Sequence, residues 1–160
     1  MATQIENISP DVVYAITRNR NAFLVKRNNT GGLQFSRDPL NLTNKHSRKY
    51  AGYCNPQAIG IRADGNTVEV VTKLPNRMNK PATQLQLSSF SSSTPSRKLY
   101  KSVVNSTAKK GYRADLRAEA VARASAVKLS QAEKKDVKRE VKLRGSKARK
   151  AAEAEAASSS

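Results

Sequence analysis

The chain has 160 residues, and its 30 Lys and Arg outnumber its 12 Asp and Glu, which gives a formal net charge of +18. Such a surplus repels itself in a compact fold and favours a polyanionic partner: a nucleic acid, an acidic protein or a membrane surface. One His, one Cys and no Trp exclude a zinc site of the usual Cys/His type and an internal disulfide, and the unpaired Cys favours a reducing compartment. No run of about 18 apolar residues is present, so no membrane-spanning helix is predicted.

The charge and the apolar residues divide the chain. Residues 1–90 hold twelve bases and five acids, whereas residues 91–160 hold eighteen bases, seven acids and few large apolar residues. We predict an α+β fold: a small, mainly antiparallel sheet with an N-terminal helix and two basic C-terminal helices, then an extended tail. Residues 9–90 are the predicted core, residues 91–130 the basic helices, and residues 131–160 a charged extension that is helical or disordered.

The N-terminal elements follow from local signals. Ser9, Pro10 and Asp11 predict a helix start, because they supply an N-cap, a preset φ angle and an acid near the positive helix end. This helix is expected to end near Arg18. Residues 22–27 are apolar on both faces and predict a central strand. Residues 28–32 predict a turn, residues 33–36 its hairpin partner, and residues 37–47 a loop.

Three further strands are predicted. Residues 58–62 and 67–73 flank Asp64-Gly65, a strong tight-turn signal. Residues 83–87 alternate between leucine and glutamine, so Leu85 and Leu87 are expected to face the core. A basic loop, residues 74–80, joins the last two strands.

Two helices follow a serine-rich linker. Thr94-Pro95 predicts the start of the second helix, which is expected to end near Gly111. The third is expected from about Arg113 to Ser130. Their predicted apolar positions are Leu99, Val103 and Val104 in the second helix, and Leu116, Ala120, Ala124 and Val127 in the third.

The sequence offers little for catalysis. No phosphate-binding glycine motif is present. His46 and Cys54 are close in sequence, so a nucleophile–base pair is conceivable, but a buried structural Cys is the commoner role. We therefore predict that the protein is not an enzyme, that it has no cofactor or metal, and that it takes no small-molecule substrate. Residues 1–9 have neither a basic segment nor an apolar block, so no signal peptide is predicted.

Basic clusters are the positive signal. Near residue 50, cations alternate with Tyr50 and Tyr53, as suits RNA, whose bases stack on aromatic rings. The alternative is a half-buried strand with both tyrosines in the core. The helices carry cations opposite alanine rather than bulky apolar residues, which weakens a membrane-surface interpretation. The candidate RNA-binding residues are Lys45, Arg48, Lys49, Arg77, Lys80, Arg97, Lys98, Lys101, Lys109, Lys110, Arg113, Arg117 and Arg123.

Four blocks carry a family resemblance: AFLVKRN (22–28), SRKYAGY (47–53), KPAT (80–83) and YRADLRAEAVARASA (112–126). In this order they resemble ribosomal protein twenty-eight of the large subunit, a family of eukaryotes without a bacterial counterpart. The resemblance covers residues 11–130. It implies a structural role in the large subunit and binding to ribosomal RNA. The extension after residue 131 departs from the family pattern, so the resemblance implies no RNA contact there.

The resulting hypothesis is a structural constituent of the large subunit of the cytosolic ribosome, assembled in the nucleolus. Its expected partners are large-subunit ribosomal RNA and neighbouring ribosomal proteins, without a membrane. Phosphate contacts are expected to position it without reading base sequence. Two alternatives remain: a nucleolar factor of large-subunit assembly and a chromatin-binding basic protein.

Overall fold

The computed structural model describes residues 8–77, 80–132 and 144–158. These residues form a mixed α+β fold, as predicted. The helices and strands, in chain order, are α1 (Pro10–Thr17), β1 (Leu24–Val25), β2 (Phe35–Ser36), β3 (Ile59–Asp64), β4 (Thr67–Lys73), β5 (Leu85–Phe90), α2 (Ser96–Ser106), α3 (Arg117–Gln131) and α4 (Ser146–Ser158).

Helix α1 begins and ends where the sequence predicts. The backbone N–H of Val12 donates to Ser9 Oγ at 3.3 Å, which is the expected N-cap hydrogen bond. The backbone N–H of Arg18 closes the last turn on the carbonyl of Tyr14. Two apolar side chains of the helix stay in solvent: Val12 and Ile16 are 48% and 74% exposed.

The first hairpin forms as predicted, but its strands are much shorter than expected. Only Leu24 and Val25 pair with β2, so the prediction of a central strand over residues 22–27 is wrong. The reason is local. The side chain of Asn21 bonds the carbonyl of Thr17 and accepts from the N–H of Phe23, which prolongs the turn after α1. Few residues are then left before the turn that begins at Asn28.

The main sheet is antiparallel, with the strands in the order β3-β4-β5. Asp64 pairs with Thr67 across a two-residue loop, and Gly65 has a positive φ of 52°, so the predicted tight turn is confirmed. One face of the sheet packs against the helices. Ile59, Val68 and Val70 on that face are each no more than 2% exposed.

Strand β5 is at the edge, and its leucines face away from the helices. Leu85 and Leu87 pair with Lys73 and Val71, on the sheet face opposite the helical layer. That face is covered over β3 and β4: a Cβ atom on Gly60 would lie 2.5 Å from the carbonyl of Pro39, and Val71 and Lys73 are 5% and 7% exposed. The leucines are 44% and 56% exposed. The predicted alternation is present, but the prediction that these leucines face the core is wrong.

Helices α2 and α3 complete the core. Six of the seven predicted apolar positions are buried: Leu99, Val103, Leu116, Ala120, Ala124 and Val127. Val104 is only half-buried, because it faces a groove on the outer side of α2. Helix α3 begins at Arg117 rather than near Arg113. Arg113 has a left-handed backbone, with φ 47° and ψ 55°, and a 3₁₀ turn follows it, so the α-helix cannot start there.

Helix α4 lies in the predicted C-terminal extension. Its sequence is almost entirely Ala, Glu, Lys, Arg and Ser, of which most are good helix formers. The boundaries of the three predicted chain regions remain predictions.

Candidate nucleic-acid interface

Nine of the thirteen candidate cations are exposed and make no ion pair or side-chain hydrogen bond with the residues that the structure describes. Their charges are therefore available to an external anion. We call them the open cations: Lys45, Arg77, Lys80, Arg97, Lys98, Lys101, Lys109, Lys110 and Arg117.

The largest group of open cations lies on α2 and the turn after it. Arg97 and Lys101 are four residues apart on α2, so they lie on one side of the helix, roughly 6 Å apart along its axis. Lys109 lies beyond the end of α2, in the 3₁₀ turn Ala108–Lys110. Lys98 and Lys110 follow their neighbours directly in the chain.

A groove of about 1120 Å³ separates the outer sides of α2 and α3. Its apolar lining comes from α2, α3 and the two 3₁₀ turns between them: Tyr100, Val104, Ala108, Ala114, Ala118 and Val121. Three of the open cations, Lys101, Lys109 and Arg117, also line it. The groove is thus apolar inside and positively charged along its margins.

The other open cations belong to different segments. Lys45 forms an isolated backbone bridge with Phe35 of β2. Arg77 ends a 3₁₀ turn after β4, and Lys80 precedes the one before β5. Sequence reasoning also missed exposed cations between α1 and the residue that follows β2, namely Arg18, Arg20, Lys26 and Arg37. The RNRN run of residues 18–21 is a sequence signal for two of them.

Two candidates near residue 50 are engaged within the fold. Arg48 Nε donates to Asp11 Oδ1 at 2.7 Å, and its Nη1 donates to Asn55 Oδ1. Lys49 Nζ donates to Glu119 Oε1 at 3.1 Å, and this hydrogen bond raises the pKa of Lys49. Both cations tie residues 48–49 to helices.

Arg113 is held by several hydrogen bonds within the fold. Its Nη1 donates to the carbonyl of Gln57 at 3.0 Å and its Nη2 to that of Lys49 at 2.9 Å. Asp115 accepts from Nε and Nη2, both at 2.9 Å, and these bonds lower the pKa of its carboxyl. Arg123 Nε donates to the carbonyl of Ile61 at 3.3 Å. Both arginines bond the backbone of the sheet region.

Residues 48–57 have no regular secondary structure, and side chains hold their backbone. The buried Lys73 donates to the carbonyls of Gly52 and Asn55 at 3.3 and 3.1 Å. Its burial lowers the pKa of the ammonium. The buried carboxylate of Asp38 accepts from the backbone N–H of Tyr53 at 2.9 Å. These supports were not anticipated, because their partners are distant in sequence.

Tyr112 extends this support to the edge of the sheet. Its hydroxyl donates to the carbonyl of Lys73 at 2.6 Å and accepts from the N–H of Ala58 at 3.0 Å. Burial raises the pKa of this phenol. The Tyr-Arg opening of the sequence block 112–126 therefore has a structural role.

The tyrosines near residue 50 are also engaged. Tyr50 Oη donates to Glu119 Oε1 at 2.9 Å, and Tyr53 Oη lies 3.0 Å from Thr17 Oγ1. Both rings are half-buried, as the alternative proposed, but this segment is turns rather than a strand.

Cys54 and His46 have separate neighbours. Cys54 Sγ donates to the carbonyl of Ala51 at 3.5 Å, and burial raises the pKa of this thiol. The His46 ring lies against Tyr14, with centroids 5.8 Å apart. Among the described residues, no three His, Cys, Asp or Glu side chains are grouped to hold a metal, and no helix is long and apolar enough to cross a membrane.

Comparison with known proteins identifies the family. The Ribosomal L28e protein family matches residues 12–130, which contain the open cations and the Arg113 contacts. The chain belongs to the ribosomal L28e family. A relative from Schizosaccharomyces pombe, named large ribosomal subunit protein eL28, is 40% identical over 133 residues, covering 82% of this chain and 98% of the relative.

More distant L28e relatives have the same name. The Dictyostelium discoideum protein is 34% identical over 84 residues, covering 52% of this chain and 61% of its own length. The Trypanosoma cruzi protein is 33% identical over 73 residues, covering 46% and 48%. The predicted eukaryotic ribosomal protein family is thereby confirmed. Helix α4 lies outside the L28e match.

Proposed function

We propose that this protein is a structural constituent of the large subunit of the cytosolic ribosome and that it binds ribosomal RNA through its open cations. Its partners are large-subunit RNA and neighbouring ribosomal proteins, and its assembly takes place in the nucleolus. Membership of the L28e family, with relatives named as large-subunit proteins, supports the first statement. The nine open cations support the second.

The RNA proposal rests on the difference between cations that bond within the fold and the open cations. Arg48, Lys49 and Arg113 satisfy carboxylates, an amide and backbone carbonyls of the fold itself. The open cations have no such partners in the described residues, so their mutual repulsion is relieved when phosphates bind. Contacts of this kind fix the position of a protein on RNA and require no reading of base sequence.

The proposal is tested by the salt dependence of binding to purified large-subunit RNA. Six or more phosphate contacts imply an affinity loss of roughly a thousandfold or more between about 50 and 200 mM salt. The triple variant Lys98→Gln, Lys101→Gln, Lys109→Gln is expected to bind more weakly and to show a shallower salt dependence.

Helix α4 supplies a matched control, because it carries three exposed cations outside the family match. The variant Lys147→Gln, Arg149→Gln, Lys150→Gln removes the same net charge and is expected to retain most of the affinity. Equal losses in the two triple variants would mean that net charge alone drives binding. An affinity for RNA that hardly changes with salt would contradict the proposal.

Sedimentation of a cell lysate tests the cellular role. A ribosomal constituent sediments with polysomes, an assembly factor with nuclear precursor particles, and a chromatin protein with DNA. Absence of the protein from polysomes would overturn its assignment to mature subunits, even if the purified protein binds RNA.

A further inference from the structure

The groove between α2 and α3 combines an apolar interior with a charged margin. Tyr100, Val104 and Val121 offer ring and aliphatic surface, whereas Lys101 and Arg117 supply positive charge beside it. A duplex presents its phosphates and hides the faces of its bases, so it matches only the margin. A nucleotide that has left the helix presents a base face and a phosphate together.

We propose that this groove receives an unpaired nucleotide of the bound RNA, with its base against Tyr100 and the neighbouring apolar side chains, and its flanking phosphates on Lys101, Lys109 and Arg117. The inference rests on the proposed RNA-binding function and identifies the kind of RNA structure recognised. Recognition of bulged or looped RNA is then a property of the α2–α3 pair, while the remaining open cations contact phosphates of paired regions.

The polar groups of the groove are compatible with this occupant. The hydroxyl of Tyr100 and the amide of Asn105 have no hydrogen-bond partner among the residues that the structure describes, so both can meet the edge of a base. Asp115 is the one carboxylate among the described residues of the lining, and the Arg113 guanidinium balances its charge through two hydrogen bonds. The net charge of the lining therefore remains positive.

An acidic protein segment is the competing occupant, and the arrangement of charges favours RNA. Lys101 of α2, Lys109 of the 3₁₀ turn and Arg117 of α3 all line the groove beside the ring of Tyr100. A positively charged groove that also offers an aromatic ring suits the phosphates and bases of an unpaired RNA strand. A docked acidic helix would need bulky apolar anchors and pockets to receive them, whereas much of this lining is Ala108, Ala114 and Ala118.

The test uses the full-length protein and two short RNA duplexes of equal length. One is fully paired, and the other carries an adenosine bulge in which one base is the fluorescent analogue 2-aminopurine. The wild-type protein is expected to bind the bulged duplex more tightly and to change the 2-aminopurine fluorescence. Base stacking on aromatic side chains predicts a preference of roughly fivefold to a hundredfold.

Three variants separate the groove from general electrostatics. Ala118→Leu fills part of the groove at an exposed helical position without a change of charge, and it should abolish the preference while leaving duplex binding unchanged. Lys101→Gln and Lys98→Gln remove one charge each from neighbouring positions, but only Lys101 lines the groove. Both should weaken duplex binding equally, and only Lys101→Gln should also reduce the preference for the bulge.

The outcomes distinguish this inference from the function on which it rests. Salt-dependent binding of both duplexes with no preference for the bulge would overturn the groove proposal and leave RNA binding intact. A preference that survives in Ala118→Leu would also overturn it, provided that the variant has the wild-type melting temperature. Failure to bind any RNA would overturn both. If Lys101 crosslinks to a protein rather than to RNA in assembled subunits, the groove is a protein site.

Discussion

Arg113 provides the sharpest test of whether a basic residue of the family block serves the fold or the RNA. Its side chain is 16% exposed and donates to two backbone carbonyls and to one carboxylate. Arg117, four residues later at the start of α3, is exposed and open. Arg113→Ala and Arg117→Ala therefore remove the same charge from two very different environments.

The expected loss for Arg113→Ala follows from these contacts. A hydrogen bond from a charged donor contributes about 1.5–3 kcal/mol. Lys49 is exposed, so its carbonyl can accept a hydrogen bond from water in the variant. Only part of the summed hydrogen-bond contribution of Arg113 is therefore lost. We therefore expect Arg113→Ala to lower the free energy of unfolding by about 2–4 kcal/mol. At roughly 3 °C per kcal/mol for a chain of this size, the melting temperature falls by about 6–12 °C.

Thermal and urea unfolding, followed by far-ultraviolet circular dichroism, measure this difference. Arg117→Ala should lie within about 0.5 kcal/mol of wild type. Arg113→Gly provides an internal control. Glycine adopts the left-handed backbone at a cost lower by about 1 kcal/mol, so this variant should be less destabilised than Arg113→Ala. If Arg113→Ala and Arg117→Ala have the same melting temperature and urea midpoint, the contacts of Arg113 do not stabilise the fold. Its role would then be a contact with RNA.

Three further predictions concern the segment around residue 50. Tyr112→Phe should lower the free energy of unfolding by about 1–3 kcal/mol, because the buried N–H of Ala58 loses its acceptor. An unchanged urea midpoint would argue against this role. Gly52→Ala should lower the free energy of unfolding by at least about 1–3 kcal/mol, since the added Cβ would lie 2.4 Å from Leu40 Cβ. Wild-type stability of this variant would show that the segment around residue 50 moves to make room. Hydrogen bonds from its own backbone N–H, and then from Lys49 and Tyr50, lower the pKa of Glu119. The resulting stabilisation is present above pH 4.5 and is lost as the pH falls through the lower folded value. Glu119→Gln should therefore be less stable than wild type at pH 7, with a gap that closes in acid, and a gap independent of pH would contradict this reasoning.

The features that sequence predicted correctly are encoded within a few residues. Ser9 caps the helix that it precedes, and Asp64-Gly65 turns the chain between the two strands beside it. The buried line from Leu116 to Val127 follows helical spacing alone. Such signals need no knowledge of the rest of the fold.

The wrong predictions concern which face of a strand is covered and which groups a side chain contacts. The alternation of β5 was correct, but only the position of the helical layer decides which side of Leu85 and Leu87 is covered. Similarly, Arg113 and Arg117 are equally basic in sequence. Their difference arises because the carbonyls of Lys49 and Gln57 lie beside the first and not beside the second.

These distant partners have a consequence for the order in which the protein acquires its structure during synthesis. The segment around residue 50 contacts Arg113 and Glu119, which emerge from the translating ribosome 56 to 70 residues later. Hairpin β3–β4 can form as soon as it leaves the exit tunnel, because its contacts are local. The loop before it must wait for α3. Nascent chains stalled before Tyr112 should therefore remain sensitive to protease near residue 50, and those extended past α3 should become resistant.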